Sequence, residues 1–339
     1  VFILIARYFL NLNKDKKFIN KTALTECLGS VIPEVSKTDE KEEKEKAKTS
    51  EITKILEMEL GYIKLKKEDN TQAETPTSDK KLEEAQTGVS TEVVDSGIEN
   101  KFTNTYGSVQ IKNGTKYDLT EDILTPNFEL TNKKDIIIYH THTCESYTPT
   151  ENYNYEQTGT YRTTDLNYTV ARVGDELTDY LTNYGYNVVH DKTYHDYPAY
   201  TGSYGRSMNT ITNIMNNGTN AQMIIDLHRD AVGSNSNYAP KVKIGEEYAA
   251  QLMFVIGTDG GGMEHPNWQR NLKFAVAVQQ KANEMYPGLF KPIILRNSRY
   301  NQNVSDAATI IEVGATGNTM EECLTSMKYL SKVFSEIVK

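Results

Sequence analysis

From residue 136 onward, short apolar runs alternate with stretches whose apolar residues recur at helical spacing, and this rhythm narrows the possible folds more than any other feature. Ile136-Ile137-Ile138-Tyr139 is a continuous apolar run, the pattern of a strand covered on both faces. Val170, Val173, Leu177, Tyr180, Leu181 and Tyr184 then share one helical face, which Gly185 terminates. The alternation continues with a strand at 186–189, a helix through Met208, Ile211, Ile214 and Met215, a strand at 223–227 and another at 252–256. Leu272, Ala275, Val276, Gln279 and Ala282 mark a third helix, and strands follow at 293–295 and 309–313. The last helix carries Met320, Cys323, Met327, Leu330 and Phe334 on one face and opens with Thr319 and Glu322 at capping-box spacing. Strands alternating with helices predict an α/β layered fold with a largely parallel central sheet flanked by helices.

The first hundred residues read differently. Positions 36–50 are dominated by Lys and Glu, with Ala47 the sole apolar residue, and 67–100 is rich in Thr, Glu, Lys and Ser. Such segments bury too little apolar area to offset the entropy of ordering. Residues 33–100 are therefore expected to be a polar tether, interrupted by a helix through Ile52, Ile55, Leu56 and Leu60, either an ordinary local one or an amphipathic docking element. Residues 1–32 are expected to close an N-terminal membrane anchor, because Val1-Phe2-Ile3-Leu4-Ile5-Ala6 is apolar, although a span needs about 20 such residues. An ordinary buried strand is the other reading of that run, and Lys14, Lys16, Lys17 and Lys21 after it favour a cytoplasmic flank. Residues 101–134 are expected to pack as a lead-in on a catalytic domain spanning 135–339. A net charge of −9 argues against a nucleic-acid partner, which calls for a clustered basic surface. Cys27, Cys144 and Cys323 lack metal-binding or disulfide-framework spacing.

In open α/β sheets, ligands bind beyond the carboxyl ends of the strands. After the first strand come His140, His142 and Glu145; after the third, His228, Arg229 and Asp230; inside the last, Glu312. Imidazoles and carboxylates delivered to one sheet edge suit a catalytic zinc ion, which takes three N/O protein ligands and leaves a fourth position for water. His140 and His142 lie two apart and share a face if the chain there is extended, so both could reach a metal, or one could support the other. Glu145 is the expected carboxylate ligand. Glu312 sits in an apolar strand, where a carboxylate is costly unless it has a partner, and is the expected general base and acid. His195 is a candidate second proton donor. Arg229, Arg299 and Tyr300, with His140, are candidates for substrate contact, Arg because its guanidinium suits peptide carboxylates. The Gly run at 260–262 matches no phosphate-binding signature.

These residues carry a family resemblance. Ile137-Ile138-Tyr139-His140-Thr141-His142 with Glu145, His195-Asp196-Tyr197-Pro198, Asp226-Leu227-His228-Arg229-Asp230, the stretch 257–268, Ser298-Arg299-Tyr300-Asn301 and Glu312-Val313-Gly314 resemble the stage II sporulation protein P family of endospore-forming Firmicutes, over about residues 105–339. The resemblance implies the fold of zinc-dependent N-acetylmuramoyl-L-alanine amidases, cleavage between muramic acid and the stem peptide of peptidoglycan, and an endopeptidase activity on cross-links. It also implies a membrane-anchored setting on the extracytoplasmic side, facing the wall during forespore engulfment, with stage II sporulation proteins D and M as partners. His142 matches the wider amidases' first zinc ligand better than His140. Those amidases place a ligand Glu just before the following helix, where this chain has Thr164-Asp165, so Glu145 substitutes. Two other readings stay open: a zinc carboxypeptidase acting on peptides alone, and a non-catalytic wall-binding module of an engulfment complex.

Overall fold

The computed structural model describes residues 89–127, 129–132, 134–232 and 236–337, all within the compact unit Lys54–Lys339. The expected anchor at 1–32, the tether as far as residue 88 and the helix at 52–60 lie outside the described residues. Among the described residues no helix is long and apolar enough to cross a membrane.

Eight strands form one sheet in the order β2-β3-β10-β9-β11-β6-β4-β5. In chain order they are β2 (Asn104–Tyr106), β3 (Val109–Asn113), β4 (Asp135–Tyr139), β5 (Asn187–His190), β6 (Met223–Asp230), β9 (Leu252–Gly257), β10 (Ile293–Arg296) and β11 (Ala307–Ala315). A smaller antiparallel sheet joins β1 (Thr91–Val94), β7 (Lys241–Ile244) and β8 (Glu247–Ala250). Two points differ from the sequence expectation. Within the segment expected to be a polar tether, Thr91–Val94 forms a strand paired with β7, and the β7–β8 hairpin was not foreseen. Lys241, Lys243, Glu92 and Glu247 interrupt the apolar residues of these short strands, so their apolar signal is diluted.

The large sheet is mostly parallel but has two directions. Strands β5, β4, β6 and β11 run one way. Strand β9 is antiparallel to β11, and β10 and β3 run parallel to β9. The carboxyl ends of β9 and β10 therefore lie at the edge opposite those of β4, β6 and β11.

Helices cover both faces. Helices α2 (Val170–Asn183), α4 (Trp268–Met285) and α5 (Met320–Ile337) pack on one, with α1 (Glu121–Leu124) against α4. Ile136, Ile138, Ile225, Leu227, Phe254, Ile256, Ile311 and Val313 bury against them in the main core. Thr319 caps α5 as expected: Glu322 N donates to Thr319 Oγ1 and Thr319 N to Glu322 Oε2, both at 3.3 Å. The other face meets α3 (Ser203–Asn216), through Ile137, Tyr139, Ile224, Ala308 and Ile211. Strand alternation puts Asp226, His228, Ile310 and Glu312 on this second face.

The register of β11 on β6 slips between Glu312 and Ala315, where Gly314 takes φ +61°. A Cβ there would lie 2.8 Å from Asn318 Oδ1 and 3.0 Å from Ala250 Cβ. Gly314→Ala is expected to lower the unfolding free energy by about 1–2 kcal/mol, the cost of a left-handed conformation for an L residue, read from urea denaturation. An unchanged midpoint would mean that the bulge is not fixed by this glycine.

Candidate active site

At the carboxyl edge of β4 and β6 the chain builds a buried charge cluster. Asp226 and His228 alternate along β6 and meet side by side, with His228 Nε2 2.9 Å from Asp226 Oδ1. After β4 the chain turns, and Thr141 binds Asp226 twice, through its backbone N at 2.8 Å and Oγ1 at 2.6 Å. The same turn delivers Glu145, whose Oε2 accepts from Arg229 N at 3.1 Å and lies 3.6 Å from His228 Nδ1. Burial opposes the charge on His228, but Asp226 and Glu145 outweigh it and hold its pKa well above the ordinary value. Burial likewise opposes ionisation of Glu145, and His228 and Arg229 overcome it, so its carboxyl stays well below the usual range. His228 thus lies between two carboxylates that both favour its charged form.

His142 stands edge-on to His228, with ring centroids 5.1 Å apart. Its Nε2 is 2.9 Å from Tyr200 OH, and the two rings stack at 4.4 Å. Its Nδ1 lies 4.0 Å from Asp196 Oδ2. Burial depresses its pKa to about 3, so it is a neutral ligand-type imidazole at pH 7. Glu312 is opposite His228 in the β11–β6 register, on the same face and 4% exposed.

Zinc bonds of 2.0–2.2 Å in a tetrahedron put neighbouring ligand atoms roughly 3.4 Å apart, close to the 3.6 Å between His228 Nδ1 and Glu145 Oε2. Asp226 on the other nitrogen of His228 is the supporting carboxylate that metal-binding histidines use. Among the described residues, no three His, Cys, Asp or Glu side chains stand close enough to encircle an ion. His142, Glu145 and His228 are nevertheless of the N and O donor types that zinc takes.

The structure does not bring together all the residues singled out in the sequence. His140 points away from His142, because the chain turns directly after β4 instead of staying extended. It is fully buried, with Nδ1 2.8 Å from Leu227 O and Nε2 2.8 Å from His190 Nε2, and is no surface for substrate. His195 engages both ring nitrogens, with His140 O at 2.7 Å and Thr210 Oγ1 at 2.9 Å, so its neighbour Asp196 enters the cluster instead. The Arg229 guanidinium turns from the cluster to Thr316 Oγ1 at 2.8 Å and the Asp230 and Tyr161 carbonyls. Tyr300 is 2% exposed and packs on Tyr204, Met253, Val255 and Ile310. Arg299 follows β10 and so belongs to the opposite edge, where it donates to Glu264 O beside His265.

Sequence reasoning missed Asp226 and Arg162 as parts of the site, and saw Asp196 and Tyr200 only within loops expected to line a substrate groove. A buried Asp inside the apolar run Met223-Ile224-Ile225-Asp226-Leu227 was the available signal for the first, by the logic applied to Glu312. The others sit on loops whose approach only the tertiary fold reveals.

The family model of stage II sporulation protein P matches residues 22–335. The chain belongs to that family. The stage II sporulation protein P of Bacillus subtilis (strain 168) is 29% identical over 218 residues, covering 60% of this chain and 51% of that protein, so the chain spans about half the length of that relative. Solved structures similar to this chain include the CwlD amidase of Clostridioides difficile in complex with the GerS lipoprotein, at 16% identity and TM-score 0.38, covering 60% of this chain and 95% of that one. An N-acetylmuramoyl-L-alanine amidase from Clostridium difficile 630 is similar at 18% identity and TM-score 0.37, covering 61% and 96%. All of the resemblance motifs quoted from the sequence fall inside the span of the family match.

His265, at the opposite edge, gives a pH prediction. Burial, the largest influence, lowers its pKa to about 4 from an ordinary 6.5. The unfolded chain then binds more protons between those values, so the stability this site contributes is complete above pH 6.5 and is lost as pH falls toward 4, at most about 3 kcal/mol. An NMR titration of its ring is expected to show a midpoint near 4; a midpoint near 6.5 would refute the assignment.

Proposed function

We propose that this chain is a peptidoglycan hydrolase: a zinc-dependent N-acetylmuramoyl-L-alanine amidase that also opens peptide cross-links. The observation that carries this reading is the buried cluster of His142, Glu145 and His228, with Asp226 behind His228 and Glu312 beside it on one strand edge. The substrate class rests on the sequence resemblance to the stage II sporulation protein P family. The membrane-anchored, wall-facing setting in engulfment and the partners, stage II sporulation proteins D and M, belong to the same proposal and rest on that resemblance alone.

His142, Glu145 and His228 would hold the zinc, which when bound acidifies water and polarises a carbonyl. Asp226 fixes the His228 ring and raises its basicity as a ligand. Tyr200 sets the ring orientation of His142 by stacking on it and placing its OH 2.9 Å from Nε2. Glu312 faces the same space from β11. It takes the proton of the attacking water and returns it to the leaving amine, the two halves of general acid–base catalysis of amide cleavage.

The test is digestion of purified peptidoglycan by the whole chain, with products identified by mass spectrometry. Free stem peptides are expected, lost with a chelator and restored by zinc; unlinked cross-bridges would report the endopeptidase. Glu312→Gln is expected to lower kcat by about 10²–10⁴-fold, while His228→Ala also abolishes zinc retention in equilibrium dialysis. Retained binding to the wall with no product under any metal condition, and with protein D added, would replace this reading with that of a wall-binding module.

A further inference from the structure

We propose that Arg162 is the residue with which this site reads an acidic group of its substrate, so that the preferred ligand is a muramoyl peptide with free carboxylates. The proposal deepens the hydrolase reading and rests on it for the muramoyl part of the ligand.

The chain goes to some length to bring this arginine to the cluster. Residues 145 and 162 pair as an isolated antiparallel bridge, supported by Ser146 N donating to Tyr161 O at 2.9 Å and Thr163 N to Cys144 O at 3.1 Å. Tyr161, just before it, takes φ +50°, a left-handed conformation that costs a non-glycine residue energy and redirects the chain at this point. Arg229 supports the same peptide from behind, through Tyr161 O. The result places the Arg162 guanidinium 5.4 Å over the Tyr200 ring, the ring that stacks on His142.

The guanidinium is only partly used. One nitrogen, Nη2, is paired with the buried carboxylate of Asp196. Nε and Nη1 make no hydrogen bond among the described residues. The side chain is 23% exposed, while its neighbours Asp196, Glu145 and His142 are buried. A fork with one nitrogen held on a buried carboxylate and a partly exposed side chain can accept a second carboxylate from solution, and Arg suits that role better than Lys because its donors lie in one plane. Asp196 holds the guanidinium in place, so little side-chain entropy is lost when the ligand arrives. The arginines suggested by sequence for this task, Arg229 and Arg299, have their guanidiniums directed elsewhere. The stem peptide of peptidoglycan carries the required acidic group on its glutamyl residue.

The experiment is isothermal titration of the whole chain, with a chelator present so that nothing is hydrolysed. The two ligands are N-acetylmuramoyl-L-alanyl-D-glutamate and the same molecule with both carboxylates converted to carboxamides. The wild-type chain is expected to bind the diacid about 10- to 100-fold more tightly, the range of a charge-assisted hydrogen bond. Arg162→Gln is expected to bring the ratio to about one, and Arg162→Lys, which keeps the charge and loses the fork, to an intermediate value. Equal wild-type affinities, or an unchanged ratio in Arg162→Gln, overturn the proposal. If Arg162→Gln does not fold, the wild-type and Arg162→Lys ratios decide. A chain that discriminates the ligands but never cleaves the wall would sink the hydrolase reading and leave this one standing; cleavage without discrimination would do the reverse.

Discussion

The charge balance at His228 is the constraint on which the site's geometry depends. Asp226, His228 and Glu145 sit out of water side by side, and a buried charge is tolerable only when its partners are in place. Asp226 and His228 come from one strand, whose two-residue period sets them side by side without any long-range arrangement. Glu145 comes from elsewhere and must be brought in. Asp226 accomplishes part of this by accepting two hydrogen bonds from Thr141, which starts the turn that ends at Glu145. Arg229 N then fixes the Glu145 carboxylate. Charge compensation and loop conformation at this edge are therefore a single problem with one solution.

Much of the fold was legible because its signals are local. Periodicity located six strands of the large sheet and the four long helices, and a single pair of residues, Thr319 and Glu322, announced the start of the last helix. At the site, residues on strands were easier to place than those on loops. His228 and Glu312 occupy adjacent strands at matching register, as expected of residues at strand ends. His140 and His142 were assigned to one face on the premise of an extended chain, and the premise fails at the first residue after β4. At His195-Asp196 the imidazole attracted attention, yet its two nitrogens are consumed by a carbonyl and a hydroxyl, and the carboxylate beside it reaches His142. Chemistry-bearing residue types can be listed from a sequence; which of two neighbours turns inward is a tertiary fact.

Strand direction was the other hidden variable. The stretches 257–268 and 297–300 look like further walls of one groove if every strand runs the same way. Strand β9 runs against β11, so these loops emerge at the far edge. There they pack on each other tightly: a Cβ on Gly257 would meet Ser298 O at 2.3 Å, and Gly261 N donates to Asn297 O at 2.8 Å. Their glycines serve close backbone approach. Nothing in an apolar run reveals which way it will point in a sheet, since parallel and antiparallel central strands bury the same residue types.

Strand β11 is the last to be made and lies in the middle of the sheet, between β9 and β6. A ribosome releases the chain from the N-terminus, and domains fold as their parts emerge. Until residue 315 has emerged, β6 and β9 have no common neighbour, and the two halves of the sheet have no strand to join them. Glu312 also arrives with that strand. The two half-sheets therefore stay unjoined, and the charge cluster lacks one wall, until β11 is available, and both are completed in a single closing step of high sequence separation, the kind of step that sets a slow folding rate.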